Sequence, residues 1–260
     1  MRNRPSALVT GATLGIGAEI SRELAKKGFD LVLVARGKDR LDQFAGEMSD
    51  RYGAKCEAIV ADLEDQAALS MVVRRVTDGA PIDTVVNNAG FGSYGRFSDL
   101  PVDSQMGQVR LNVLALVALS HAALSTMVPR GSGRLLNVGS LAGFQTGPYS
   151  ATYAATKAFV LSFTEALHEE VRGSGVQVTV LCPGFTLTEF QTRAKVNLKG
   201  VPGLLWTDAH FVAASGLAAL ERNEAVSVPG TINALSSMAA RLAPRSVVRR
   251  MSATVTRRLS

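Results

Sequence analysis

Three side chains near the middle of the chain have the types and spacing for proton transfer. Ser140 closes the apolar run RLLNVGS. Tyr153 follows 13 residues later, and Lys157 stands four further on in YAATK. Residues at i and i+4 share one helical face, so Tyr153 and Lys157 belong side by side. A phenol is a proton donor that titrates near pH ~10 when free. A neighbouring ammonium favours its phenolate, by a few kcal/mol at an effective dielectric of about 20. A serine hydroxyl can hold and place an oxygen of a bound molecule. A placed oxygen with a proton donor beside it is what carbonyl reduction needs, together with a separate donor of hydride.

A binding loop for such a donor stands at the start of the chain. A short apolar run leads into Thr10-Gly11-Ala12-Thr13-Leu14-Gly15-Ile16-Gly17, and a helical pattern begins at once. Glycines let backbone approach a pyrophosphate, and a helix N-terminus offers free N–H groups to the anion. The alternative is a plain glycine-rich turn, but the setting in a strand–helix–strand unit favours a nucleotide. The second apolar run, LVLVA, ends at Arg36, with Lys38 and Arg40 close behind. A ribose 2′-hydroxyl usually meets Asp or Glu at this point, whereas an arginine can pair with a 2′-phosphate. The expected cofactor is therefore NADP(H), the alternative for Arg36 being a solvated helix start.

These residues need strands to carry them and helices to hold them. Strand patterns lie at 7–10, 31–35, 56–61, 84–86, 134–138, 177–181 and 225–228. Helical patterns lie between or after them at 16–28, 38–52, 64–78, 104–128, 152–172 and 208–222. Such alternation predicts an α/β fold, a doubly wound parallel sheet of about seven strands with helices on both faces. Continuously apolar strands fit burial on both sides. The expected organisation is one Rossmann-like domain over 1–230, with an insert at 185–206 near the substrate site and a basic helical tail over 231–260.

Composition narrows the function classes. Of 260 residues, 47% are hydrophobic and 19% charged, which suits a globular core and excludes bulk disorder. Two cysteines, Cys56 and Cys182, cannot build a disulfide framework. The first apolar run is too short for a secretory signal, so a cytoplasmic protein is expected. The stretch 111–128 has no charged residue but holds Asn112, Ser120 and His121, and it reads as a long buried helix rather than a membrane span. The net charge is +6, and residues 241–260 contain six arginines and no acid; the remaining chain has 22 basic and 22 acidic residues. A balanced body argues against a nucleic-acid surface.

The full set of motifs resembles the short-chain dehydrogenase/reductase family: TGATLGIG, Asp62 after the third strand, Asn87-Asn88-Ala89-Gly90, Asn112, Ser140, YAATK, and Pro183-Gly184 with Thr188. The resemblance spans roughly 6–230 and implies a seven-stranded sheet with a catalytic tetrad of Asn112, Ser140, Tyr153 and Lys157. It implies cofactor contacts from Gly11, Thr13, Gly15, Ile16, Gly17, Arg36, Asp62, Leu63, Asn88, Ala89, Gly90, Tyr153, Lys157, Pro183, Gly184, Thr186 and Thr188. Asp62 would meet adenine, and Ala89 and Gly90 the adenosine side. Pro183, Gly184, Thr186 and Thr188 would border the nicotinamide, although the family more often has Val or Ile at Thr186. Asn112 would bend its helix and hold a water that relays protons to Lys157; its alternative is a satisfied buried amide. Many relatives are homodimers or homotetramers that pair the helix near 111–128 with the one carrying Tyr153, and the long apolar run fits that arrangement. FGSYGRF and the arginine-rich end resemble bacterial ketoacyl and steroid reductases of the family.

Other residues are weighed against that frame. His121, His168 and His210 have no metal-ligand spacing, so no metal is expected, and His168 reads as an exposed helix residue. Cys182 reads as a small strand-end residue. Phe91, Tyr94, Phe144, Tyr149, Phe185, Phe190 and Trp206 follow strand ends, where α/β folds bind ligands, and favour an apolar carbonyl over a charged sugar. The tail mixes Leu235, Met238, Leu242, Val248, Met251 and Val255 with arginines. It either lies on an anionic membrane surface or packs on the domain or a partner subunit. The expected function is an NADP-dependent carbonyl reductase or alcohol dehydrogenase. A cofactor-binding sensor or scaffold without turnover, and an adaptor driven by the tail, are the alternatives.

Overall fold

A computed structural model describes residues 4–186 and 206–257. Seven parallel strands form one sheet: β1 (Ser6–Thr10), β2 (Asp30–Ala35), β3 (Cys56–Val60), β4 (Thr84–Asn87), β5 (Gly133–Val138), β6 (Val176–Leu181) and β9 (Val226–Ser227). Their spatial order is β3-β2-β1-β4-β5-β6-β9. The chain runs outward through β2 and β3, then returns past β1 to start again at β4. The strand order reverses between β1 and β4, and sheets of this kind bind ligands in the crevice outside the carboxyl ends at that point. A separate parallel pair, β7 (Phe185–Thr186) and β8 (Trp206–Thr207), closes the two ends of the insert on each other.

Helices cover both faces because the strands are apolar on both. One face packs Ile20 and Leu24 of α1 (Gly15–Lys26), Leu41 and Met48 of α2 (Lys38–Tyr52) and Leu217 of α7 (Ala209–Glu221) against Val9, Leu33 and Leu136. The other packs Leu69 and Val72 of α3 (Gln66–Thr77) and Leu119 and Met127 of α5 (Leu116–Arg130) against Leu8, Val85 and Val178. Val160 of α6 (Ala151–Glu170) packs near Val180 and Cys182.

The helix expected over 104–128 is longer. It runs continuously from Val102 to Arg130 as α4 (Val102–Val109), a π-helical turn (Arg110–Ala115) and α5. Pro101 starts it, and Gly131, at φ +69°, ends it. By length and composition it could cross a membrane; here it packs against α3, β4, β5 and α6. It is not buried all round, since Met106 and Leu114 are exposed. The tail forms two helices, α8 (Thr231–Leu242) and α9 (Arg245–Arg257). Ala243 between them is extended, as a residue before proline prefers. His168 departs from the expected exposure: it is half-buried, its Nδ1 2.7 Å from the Val178 carbonyl.

Candidate active site

Ser140 leaves β5 in an extended conformation and opens a 3-10 turn, Leu141–Phe144. Its hydroxyl accepts a 3.1 Å bond from the Ala142 N–H. That turn rests on α6: a Cβ on Gly143 would lie 2.6 Å from the Lys157 carbonyl oxygen. Glycine at 143 therefore allows Ser140 to reach the face of α6 that carries Tyr153 and Lys157. Ser140 hydrogen-bonds the Tyr153 hydroxyl. The Lys157 ammonium donates to the Val138 carbonyl at 2.7 Å and sits 5.8 Å from the centre of the Tyr153 ring.

Burial dominates the electrostatics here. It pushes the Tyr153 hydroxyl up to about 12, with the Ser140 hydrogen bond pulling the other way. It draws the Lys157 ammonium down to about 8. The expectation that Lys157 would lower the Tyr153 pKa is corrected. The Lys157 ammonium bonds the Val138 carbonyl, and desolvation of the phenolate sets the direction of the Tyr153 shift. Tyr153 is thus a neutral hydroxyl at physiological pH, the form that donates a proton.

Asn112 lies in the π-turn, where the helix is locally widened. Its side-chain amide is satisfied within the protein. Nδ2 donates to the Phe91 carbonyl (2.9 Å) and Thr156 Oγ1 (3.1 Å), and Oδ1 accepts from the Phe91 N–H (3.1 Å). Gly90 stands between Asn112 and Lys157: a Cβ there would lie 2.9 Å from Asn112 Oδ1 and 3.6 Å from Lys157 Nζ. Asn112 thereby fixes the loop after β4 against α6.

The glycine loop is held by residues of NNAG. Thr10 Oγ1 accepts the N–H groups of Asn88 and Ala89, each at 3.0 Å, while Asn88 Nδ2 donates to the carbonyls of Thr10 and Gly11. A Cβ on Gly17 would lie 2.3 Å from Asn88 Nδ2, so only glycine fits. Gly11 and Gly15 take positive φ. The residue before α1, Leu14, provides no side-chain cap, and the first turn holds no acid. The first-turn N–H groups, including those of Gly15, Ile16 and Gly17, therefore lack intrahelical acceptors at the positive end of the helix. That arrangement fits a dinucleotide pyrophosphate.

At the adenosine side the structure adds a complication. Arg36 is exposed, and its guanidinium lies 3.7 Å from Asp62 and 3.8 Å from Glu64. Asp62 Oδ1 also accepts the Glu64 N–H at 3.0 Å. A 2′-phosphate on Arg36 would have to share it with two carboxylates. The Leu63 side chain is buried in the core, which leaves its backbone for ligand contact. Pro183 accepts the Leu141 N–H at 2.9 Å, joining the strand-end turn of β6 to that of β5. Thr186 Oγ1 bonds the Gly184 carbonyl. Thr188 and Phe190 lie outside the described residues. Among the aromatic residues, Tyr94 stacks with Tyr149 (6.2 Å) and Phe185 meets Trp206 (5.9 Å), while Phe144 carries the Arg241 guanidinium at 4.9 Å.

Sequence reasoning missed the clamps Thr10 and Thr156 and the contact of Asn233 with Gly184. Thr10 and Thr156 stand inside the glycine motif and YAATK themselves; the Asn233 contact depends on long-range packing. No group of three His, Cys, Asp or Glu suited to a metal occurs among the described residues.

A family model described as short chain dehydrogenase matches residues 5–199. A very-long-chain 3-oxoacyl-CoA reductase of Anas platyrhynchos is 35% identical over 193 residues, 73% of this chain and 62% of its own length. This chain thus matches about three-fifths of that relative. A short-chain dehydrogenase from Sphingobium yanoikuyae, solved in complex with NADPH, is 35% identical; the match covers 90% of this chain and 93% of that one, with a TM-score of 0.84. The bulky-bulky ketone specific alcohol dehydrogenase of Comamonas testosteroni is 31% identical, covers 92% of each chain and has a TM-score of 0.80.

Proposed function

Since the chain belongs to the short chain dehydrogenase family, we propose that it reduces an apolar ketone, of the 3-oxoacyl or steroid-like kind, with NADPH. The observation that carries this reading is the Ser140–Tyr153–Lys157 cluster, with its tyrosine held protonated beside the crevice that the glycine loop borders. When bound, the reduced nicotinamide supplies the hydride. Ser140 holds the substrate oxygen, and Tyr153 delivers its proton as negative charge develops there. The buried Lys157 ammonium keeps positive charge beside the phenolate that results and is placed to hold the nicotinamide ribose.

Arg36 supports the choice of NADPH by its charge and its position after β2, and the Sphingobium yanoikuyae relative was solved with NADPH. The paired aromatics at Tyr94–Tyr149 and Phe185–Trp206 support an apolar substrate, as do the relatives named for 3-oxoacyl-CoA and bulky ketones. Hydrophobic ketones and 3-oxoacyl thioesters offered with NADPH and with NADH test the reading. Consumption of NADPH in preference to NADH is expected; a protein that binds the cofactor and reduces none of them would overturn it.

Self-association belongs to the same reading. Leu114 on the π-turn and Phe159 on α6 are exposed apolar residues on the two elements that carry Asn112 and Tyr153. Burying them against a second copy is the expected arrangement. A strictly monomeric species in light scattering at micromolar concentration would refute it.

A further inference from the structure

Helix α8 is packed the wrong way round for a soluble surface. Its polar residues Asn233 and Ser237 face inward, at 5% and 8% exposure, and Asn233 donates to the Pro229 carbonyl and abuts Gly184. Its apolar residues Ile232, Leu235, Met238 and Leu242 face out, Leu235 at 65% and Leu242 at 80%. At about 100° per residue those four fall within about a third of the helix circumference. Continuing the chain, α9 carries Arg245, Arg249 and Arg250 on exposed positions, with Val247 exposed beside them. The last 20 residues hold six arginines and no acid.

We propose that α8 and α9 dock this protein on an anionic lipid bilayer. An outward apolar stripe beside a block of arginines matches what an interfacial helix needs: apolar side chains for the acyl boundary and cations for the headgroups. A second copy of this chain fits the surface less well. A two-fold contact here would set two arginine blocks against each other, and the rest of the chain carries as many bases as acids. The docking face is also anchored to the catalytic region. Arg241 bonds Glu165 of α6 at 3.0 Å over the Phe144 ring, and Ser252 reaches Gln145 at 3.4 Å. Both contacts lie on or beside the turn that follows Ser140. Docking would therefore bring the Ser140 side of the crevice to the lipid, so the substrate class would be carbonyl compounds dissolved in the membrane. This last step rests on the reductase reading; the docking itself does not.

Co-sedimentation with phosphatidylcholine vesicles, with and without phosphatidylglycerol, tests the proposal. The full chain should pellet with the anionic vesicles and stay in solution with the neutral ones, and high salt should release it. Leu235→Glu, Met238→Glu and Leu242→Glu together should weaken binding at least about tenfold, and Arg245→Ala or Arg249→Ala about fivefold each. Turnover of a water-soluble ketone should be unchanged in all of them. Binding that ignores phosphatidylglycerol, or that survives the triple substitution, overturns the proposal. So does a fall in solution mass caused by the triple substitution, which would make the face a contact between copies. A protein inert toward ketones that still pellets would sink the reductase reading and leave docking standing.

Discussion

Helix α6 leaves Lys157 only 5% exposed, whereas α8 holds Leu242 out at 80%. Each runs against the ordinary rule for its residue type. On α6 a charge and a phenol give up water, and both pKa values move toward the neutral forms. On α8 an amide and a hydroxyl are buried while leucine and methionine meet solvent. The first inversion costs stability and keeps Tyr153 a neutral proton donor. The second leaves an apolar stripe that nothing among the described residues covers, and the docking proposed above gives it a use. Natural chains tend to break packing rules where they act, and the two helices do so in different media.

The largest effect that would sharpen this contrast is at α6. Tyr153→Phe removes one oxygen, so fold and cofactor binding should persist while kcat falls at least about 100-fold. Steady-state kinetics beside a cofactor titration checks this, and near-normal kcat would break the assignment. At the rim of the crevice, Arg36→Asp should erode the preference for NADPH. A charge-assisted bond contributes about 1.5–3 kcal/mol, roughly 10- to 150-fold. Because Asp62 and Glu64 already flank Arg36, the lower end is expected. The ratio of kcat/KM for the two cofactors in both proteins measures it.

A pH series probes the buried lysine. Lys157 titrates lower in the fold than in an unfolded chain, so the folded state binds fewer protons above about pH 8. Its burial penalty is complete below that pH and fades as pH rises toward the free value, so this residue's contribution to stability improves with pH. Reduction should move oppositely: kcat/KM should decline above about pH 8 as the ammonium is lost, while Tyr153 stays protonated. A rate that holds steady through pH 9 would mean that the lysine charge is not needed. The smallest effect is expected at α8, where Leu235→Glu should change stability by no more than about 0.5 kcal/mol. Thermal or denaturant unfolding would reveal a larger cost, and with it a hidden packing role.

Much of the scaffold was readable from local pattern. The seven runs became the seven strands within a residue or two; the central ones because buried parallel strands need continuous Val, Ile and Leu, while the edge strand β3 has no buried residue. YAATK put Tyr153 and Lys157 together because helical spacing alone decides that. Features set by distant neighbours were not readable. The high Tyr153 pKa comes from desolvation at the assembled site, which no local pattern encodes, and the carboxylates beside Arg36 arrive from the loop after β3. In α8 the sequence showed an amphipathic pattern but not which face is hidden; the Pro229 carbonyl, which accepts from Asn233, and Gly184, which leaves room for its amide, decide that.

Isotope transfer tests the central claim most directly. Wild-type protein is given a hydrophobic ketone and NADPH that carries deuterium at the transferable position of the nicotinamide, and the product is analysed by mass spectrometry. Ser140, Tyr153 and Lys157 acting as described predict an alcohol with one deuterium on the carbinol carbon, and a yield at least about 100-fold lower from Tyr153→Phe over the same interval. Tight NADPH binding with no labelled alcohol from any ketone or 3-oxoacyl thioester would contradict the account and leave a cofactor-binding protein without turnover.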